Sequence, residues 1–209
     1  MSDNADLQAN EKLRIRTDEE RAVQGANLSK LKSVLEQCGI NPIISGGTLL
    51  GAVRDGDFIA WDWDAEFFLL YHEVAGKHKT IEERTQDCGF TVQTSDYSKS
   101  FWKIVLCKDA FEFELRAWQQ IDNFYQRGSF KIPREYFQQL SKVELRGTEY
   151  FAPACTSAYL EYVYGKDWQV PNRTADKNEY LTSEFYSKHT SIIRRIQKKA
   201  NVIRKMFVR

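Results

Sequence analysis

The stretch SGGTLLGAVRDGDFIAWDWDAEFFLL, from Ser45 to Leu70, constrains the fold more than any other part of the chain. In it a glycine pair and an arginine precede three acids spaced two apart, Asp62, Asp64 and Glu66. Side chains alternate between the two faces of a strand, so these acids share one face, whereas Ala65, Phe67 and Leu69 point the other way into a core. The chain must therefore neutralise three neighbouring carboxylates beside its core.

A divalent cation is the simplest partner for such a group of acids. Mg²⁺ or Mn²⁺ is typically held by one or two carboxylates together with substrate phosphates. The run AFEFELRAW (110–118) predicts a second strand with an acidic stripe, Glu112 and Glu114. If the two strands are neighbours, a carboxylate from the second completes a metal site.

The glycines and the arginine indicate a phosphate site. Gly46 and Gly47 begin a predicted helix (46–54), where free N–H groups and the lack of side chains favour a phosphate, and Thr48 follows them. The guanidinium of Arg54 can bind a second phosphate through two parallel N–H donors. A tight turn beside a solvated acidic edge is the alternative, but the combination within about twenty residues favours one site for a phosphate ester and its metal.

The remaining pattern mixes helices and strands without a regular βαβ order, which predicts an α+β fold. Helices are expected from Asn27 to about Cys38-Gly39 and over 46–54, 76–89 and 155–165, with a last one from about Ser183 to the end. Strands are expected over 41–45, 64–71, 90–94, 101–107, 110–118 and 142–147. KIPREYF (131–137) is expected to be a turn that leads into a short helix, and KDWQVPN a loop.

Composition excludes several classes of protein. Hydrophobic residues make up 42% of the 209 residues and charged residues 28%, a globular balance with no apolar run near the roughly 20 residues of a membrane span. The polar start MSDNADLQANEKLRIRTDEE lacks the apolar stretch of a signal peptide, so a cytoplasmic location is predicted. The four scattered cysteines are expected to be reduced rather than zinc ligands.

The net charge of +1 conceals two regions of opposite sign. Residues 188–209 contain eight Lys or Arg and no acid, which leaves 22 basic and 29 acidic residues in 1–187. An acidic body argues against a long nucleic-acid track, since such a track needs a basic groove.

The motif GGTLLGAVRDGDFIAWDWDAEF resembles the signature of the LicD/fukutin family, roughly GGTLLGAxRxxGxIPWDxDxD. KIPREYF, VELRGTEYFAP, AYLEYVYGKDW and VPN are similar to the C-terminal half of that family, so the resemblance covers about residues 28–172. It implies a nucleotidyltransferase-like mixed sheet flanked by helices. The implied organisation is a polar segment (1–26), a LicD-like domain (27–181) and a basic amphipathic helix (182–209).

The resemblance also implies a reaction. The family transfers phosphocholine or a polyol phosphate from a CDP-linked donor onto a glycan hydroxyl, which here implies modification of a cell-surface polysaccharide such as a capsule or lipopolysaccharide. Asp64, Glu66 and Glu114 correspond to its metal ligands, with Glu112 in reserve, and Asp62 to the acid before them. Asp62 or Glu114 would accept the proton of the hydroxyl.

The chain departs from the family pattern in ways that keep alternatives open. Glu66 and Glu114 stand where aspartate is usual, Ala60 replaces the usual proline and Trp63 replaces a residue that is often polar. The alternatives are a nucleotidyltransferase acting on another small molecule, RNA or protein, and a degenerate, non-catalytic homologue.

Two further groups of residues complete the predicted site. Trp61 and Trp63 are expected to form walls against a base, a sugar or a quaternary ammonium, whereas the other tryptophans are expected in the core. Lys103 is placed within reach of a phosphate, although a lysine on a strand edge is more often solvated.

The tail SIIRRIQKKANVIRKMFVR has apolar residues at helical spacing surrounded by the basic residues. This pattern is typical of a helix lying on an anionic membrane, and it also fits docking on the acidic body or on a partner. A peripheral position on the inner face of the membrane is therefore one of three expectations.

Overall fold

The computed structural model describes residues 14–174 and 176–186. Its helices are α1 (Asp18–Gln37), α2 (Gly46–Arg54), α3 (Tyr71–Val74), α4 (His78–Asp87), α5 (Thr156–Tyr164) and α6 (Lys177–Tyr180), with a 3₁₀ turn at Arg134–Phe137. Its strands are β1 (Ile43–Ile44), β2 (Asp64–Leu70), β3 (Thr91–Asp96), β4 (Lys103–Lys108), β5 (Phe111–Ile121), β6 (Phe124–Arg127), β7 (Phe130–Pro133), β8 (Leu140–Leu145) and β9 (Thr148–Pro153).

The strands of the described residues form one mixed sheet in the order β3-β4-β5-β2-β1-β9-β8, and the hairpin β6–β7 extends it from the end of β5. The pairs β2–β5 and β1–β9 are parallel and the other pairs are antiparallel. With helices packed on this sheet, the α+β prediction of a mixed sheet flanked by helices is confirmed.

The central pair of strands has the predicted alternation. Ala65, Phe67 and Leu69 of β2 are buried on one face of the sheet. The opposite face of β2 is acidic at its start and apolar farther along. Phe68, the residue after Glu66 on that face, is fully buried and stacks on Phe137 with ring centroids 4.2 Å apart. The acids therefore lie at the start of a strand that is covered by apolar side chains farther along.

Helix α1 begins at Asp18, earlier than the Asn27 expected from its apolar stripe. Thr17 and Glu20 form a capping box, in which the Thr17 hydroxyl accepts from the Glu20 N–H at 3.2 Å and Glu20 accepts from the Thr17 N–H at 2.7 Å. The box satisfies N–H groups that a helix start leaves without partners, so it fixes where the helix begins.

Three strands were not predicted, β6, β7 and β9. The stretch 131–133, expected to be a turn, instead supplies the last three of the four residues of β7, and Pro133 ends the strand where its missing N–H is tolerated. The short helix expected after it is present as the 3₁₀ turn.

The described start of the 182–209 segment is not helical. Thr182 to Tyr186 form a turn that closes with a bridge between Phe130 and Tyr186. The rest of the predicted basic helix lies outside the described residues.

Candidate functional site

One large cavity, of about 1190 Å³, opens where the start of α2, the start of β2 and the middle of β5 meet the segment 159–185. It is lined by nine of the residues predicted from the sequence, one of them the reserve ligand Glu112: Gly46, Gly47, Arg54, Trp61, Asp62, Trp63, Asp64, Glu66 and Glu112. Three others, Thr48, Lys103 and Glu114, do not line it directly. The described chain thus brings most of the predicted set to one place.

The register of the sheet explains how the two acidic stripes meet. Strand β2 pairs in parallel with β5, which sets Asp64 beside Glu112 and Glu66 beside Glu114. Glu66 and Glu114 are both buried, whereas Glu112 is exposed. Glu114 is therefore the acid of β5 that is next to Glu66 inside the protein.

The glycine pair makes room for carboxylates. A side chain at Gly46 would place its Cβ 1.9 Å from Oε1 of Glu66, and one at Gly47 would place it 2.2 Å from Oδ2 of Asp62. The Gly47 N–H donates to Glu66 at 3.2 Å, and the Thr48 hydroxyl accepts from the Glu66 N–H at 2.9 Å. In this structure the start of α2 holds the carboxylate of Glu66, the kind of anion that a helix N-terminus favours.

Arg116 is the cation that the sequence reasoning missed. It forms salt bridges with both Glu66 and Glu114, and Lys103 forms a second one with Glu114 at 2.6 Å. Burial lowers the pKa of Arg116, while the nearby carboxylates of Asp64 and Asp62 act to raise it. Strand alternation would have found it, since Arg116 is two residues after Glu114 and thus on the same face.

Asp62 and Asp64 form a pair of a different kind. Burial raises the pKa of Asp62 well above its ordinary value, and the charge of Asp64 and a hydrogen bond between the two side chains raise it further. The Arg16 guanidinium opposes this rise. Two acids held this close favour either a shared proton or a cation between them.

These residues fit one divalent cation better than two. As they stand, the described residues contain no group of three or more His, Cys, Asp or Glu that would enclose a metal ion. Glu66 and Glu114, two of the three predicted ligands, are already neutralised by Arg116 and Lys103. The pair Asp62–Asp64 remains, and one or two carboxylates with substrate phosphates are what Mg²⁺ prefers.

Arg54 is less available to a phosphate than the sequence suggests. Both its Nε and its Nη2 donate to the carboxylate of Asp55, each at 2.7 Å, although it lines the cavity. A phosphate would have to compete with that bidentate pair.

The tryptophans divide between walls and core less sharply than expected. Trp61 and Trp63 are half-buried at the cavity, where the Arg173 guanidinium lies 6.0 Å from the Trp61 ring and Arg14 lies 4.5 Å from that of Trp63. Trp102 is in the core, and Trp118 and Trp168 contribute to the cavity wall. The mouth of the site therefore combines aromatic faces with basic groups.

No helix of the residues that the structure describes is long and apolar enough to cross a bilayer.

Comparison with curated proteins gives short matches. The chain is 44% identical over 41 residues to the ribitol 5-phosphate transferase FKRP of mouse and to that of human. Each match covers 20% of this chain and only 8% of the relative.

Among solved structures, two of ANT(2″)-Ia are similar in fold. A crystal structure in complex with adenylyl-2″-tobramycin has a TM-score of 0.46 at 13% identity, over 63% of this chain and 70% of that one. A solution structure of the same antibiotic-resistance factor has a TM-score of 0.49 at 15% identity, over 90% and 92%. Both scores are below 0.5.

The family comparison covers much more of the chain. The family model described as "LicD/FKTN/FKRP, nucleotidyltransferase domain" matches residues 39–155, a range that includes the glycine pair, the acids of β2 and the whole of β5. This range is more than half of the 209 residues. The chain therefore belongs to the LicD/FKTN/FKRP family.

Proposed function

We propose that this protein is a metal-dependent transferase that moves a phosphorylated polyol, or phosphocholine, from a CDP-linked donor onto a glycan hydroxyl. The observation that carries the proposal is the Asp62–Asp64 pair beside the glycine pair in one large cavity of a LicD-family domain. The 41-residue likeness to proteins named ribitol 5-phosphate transferase favours a polyol phosphate over phosphocholine.

The donor would bind along the acidic start of β2. Asp64 would hold a divalent cation together with the donor's phosphates, and Mg²⁺ or Mn²⁺ there would neutralise the diphosphate and the charge on the departing CMP. Trp61 and Trp63 would pack against the base or the sugar, because they stand at the cavity mouth with cations over their rings.

The acceptor hydroxyl would be activated by Asp62. Asp62 lines the cavity next to Asp64, whereas Glu114 is held by two cations and does not line it. Asp62 would take the hydroxyl proton as the oxygen attacks the donor's β-phosphorus and the bond to CMP breaks. Arg116 would offer its charge to the transferred phosphate, so most of the catalysis would be electrostatic.

The proposal is tested by incubating the purified chain with CDP-ribitol, CDP-glycerol or CDP-choline and Mg²⁺, and measuring CMP release by chromatography. We expect release from one donor, its loss with a chelator, and its loss in Asp64→Ala. Asp87→Ala is the matched control, because Asp87 is an exposed aspartate at the end of α4, outside the cavity.

Two outcomes would contradict the proposal. One is Asp64→Ala retaining more than a few per cent of the release. The other is no CMP from any donor but pyrophosphate released from a nucleoside triphosphate, which would instead favour transfer of a nucleotide to another acceptor.

A further inference from the structure

Arg127, at the end of β6, is a buried cation that forms no ion pair with any residue the structure describes. Its exposed fraction is 4%, and it lines the cavity together with Arg116. Its Nε donates to the Trp102 carbonyl at 3.3 Å, and its guanidinium lies 4.0 Å from the ring centroid of Phe101. Its Nη2 is buried and has no hydrogen-bond partner among the described residues.

Nearby carboxylates do not satisfy this guanidinium. Glu114 is already engaged by Lys103 and Arg116, and Arg127 forms no salt bridge within the described part of the chain. Burial lowers the pKa of Arg127 to about 10, and the charge of Arg116 lowers it as well, while Glu114 and Asp96 act in the opposite direction. Arg116 is already paired with Glu66 and Glu114, so the buried, unused donor of Arg127 is the group that an added anion would satisfy.

Arg116 is close both to Arg127 and to the acids of β2. It forms a salt bridge with Glu66, and the charges of Asp64 and Asp62 act to raise its pKa against the effect of burial. The cavity wall also includes the apolar side chains of Trp118, Phe130 and Phe185. An anion bound there would be shielded from water, where charge-assisted hydrogen bonds are strongest.

We propose that Arg127 and Arg116 form an oxyanion subsite at the inner end of the cavity, which takes a phosphate or carboxylate group of a substrate. The identification of the anion with a substrate rests on the proposed function, whereas anion binding itself does not.

The test uses inorganic phosphate as the probe and the full chain in the presence of a chelator. Thermal unfolding is followed in phosphate and in chloride at equal ionic strength, and the Kd is measured by calorimetry. We expect phosphate, and not chloride, to raise the Tm, and Arg127→Met to raise the Kd for phosphate at least tenfold. Arg127→Lys should recover part of the binding, because lysine keeps the positive charge but lacks the paired N–H donors of the guanidinium.

Arg134→Met is the matched control, since Arg134 is exposed on the 3₁₀ turn and does not line the cavity. Its Kd should equal that of the wild type. Arg127→Gln is a second neutral variant should the methionine variant not fold. The wild-type chain showing no phosphate-specific rise in Tm would overturn the proposal, as would an unchanged Kd in a folded neutral variant.

The source of the anion is identified by adding CDP. If CDP displaces phosphate, the subsite takes the donor's diphosphate; if CDP and phosphate bind together, it takes a charged group of the acceptor. Phosphate binding at Arg127 in a chain that releases no CMP from any donor would remove the proposed function and leave the subsite in place.

Discussion

Glu114 lies on β5 between two cations, Lys103 and Arg116, and its side chain is 10% exposed. We expect Glu114→Gln to lower the transfer rate on the order of 10³-fold, because it disturbs both charges beside the reacting phosphate. It should also destabilise the fold by up to about 3–5 kcal/mol, as the loss of one partner of a buried ion pair does. Rates of CMP release and urea unfolding measure the two effects.

Glu112→Gln is the natural control for that change, since Glu112 shares the strand face but is exposed. It should leave stability within about 0.5 kcal/mol of the wild type. A larger rate loss in Glu112→Gln than in Glu114→Gln would show that Glu112, and not Glu114, is the carboxylate of β5 on which transfer depends.

Asp62 should limit stability when no metal is present. Its folded pKa is raised above the ordinary 3.8, so the folded state holds the proton more tightly than the unfolded state does. The contribution of Asp62 to stability is therefore fully present below pH 3.8 and is lost as the pH rises through its folded pKa. We expect Asp62→Asn in chelator to raise the Tm at neutral pH by roughly 2–4 °C, equivalent to about 1 kcal/mol.

The pH dependence of the Tm distinguishes relief of the Asp62–Asp64 repulsion from a gain in stability that does not depend on charge. The gain in Tm of Asp62→Asn should shrink as the pH approaches 4, and Mg²⁺ should stabilise the wild type more than the variant. A gain that does not change with pH would mean that the Asp62–Asp64 repulsion is not its cause.

At the scale of elements, the start of α2 depends on Gly46. Its φ of +56° is left-handed, and a Cβ there would collide with the carboxylate of Glu66. Gly46→Ala should therefore cost more than the roughly 1 kcal/mol of the backbone strain alone and should also abolish transfer. Gly56→Ala is the control, because Gly56 has a φ of +68° and no atom within 4 Å of an added Cβ.

Urea denaturation of both variants gives the difference in free energy of unfolding. Equal losses would mean that Glu66 moves aside without cost. In that case position 46 would not need glycine to make room for the carboxylate of Glu66.

The elements that carry the acids were predictable because their signal is local. The alternation in DAEFFLL and FEFELRAW predicted strands that the structure confirms, and the glycine pair predicted the start of α2. The pairing of β2 with β5 was assumed rather than deduced, since nothing local in either strand sets the register of Glu66 against Glu114.

Arg116 and Arg127 show why the rest of the site was not predicted. The acids alone indicated a metal site, so Arg116, which shares a strand face with Glu114, was not predicted to be their partner. Arg127 lies in FYQR, a short strand whose position depends on its hairpin partner β7 rather than on its own pattern. Its burial is a tertiary property, and composition or periodicity cannot show it.

At the scale of the whole molecule, charge is divided between an acidic body and a basic segment, 188–209. That segment lies outside the described residues, so its role stays a prediction from sequence. We expect the full chain to co-sediment with vesicles containing anionic lipid at low salt, because each basic residue near such a surface contributes about 1 kcal/mol.

A chain ending at Lys188 is the matched control and should remain in the supernatant. Binding that survives this truncation, or a full chain that does not bind at low salt, would contradict membrane attachment and favour docking of the segment on protein.

The order of the sheet also has a kinetic consequence. Strand β1 is two residues long and lies between β2 and β9, and its Ile43 pairs with Phe151 near the far end of the sheet. Pairings between distant parts of a chain form slowly, because a large loop must close before any contact is gained. During synthesis the glycine pair and the acids of β2 leave the ribosome well before β9, yet the sheet beneath them is complete only when β9 arrives. Assembly of the site should therefore coincide with the last, global step of folding rather than with an early local one.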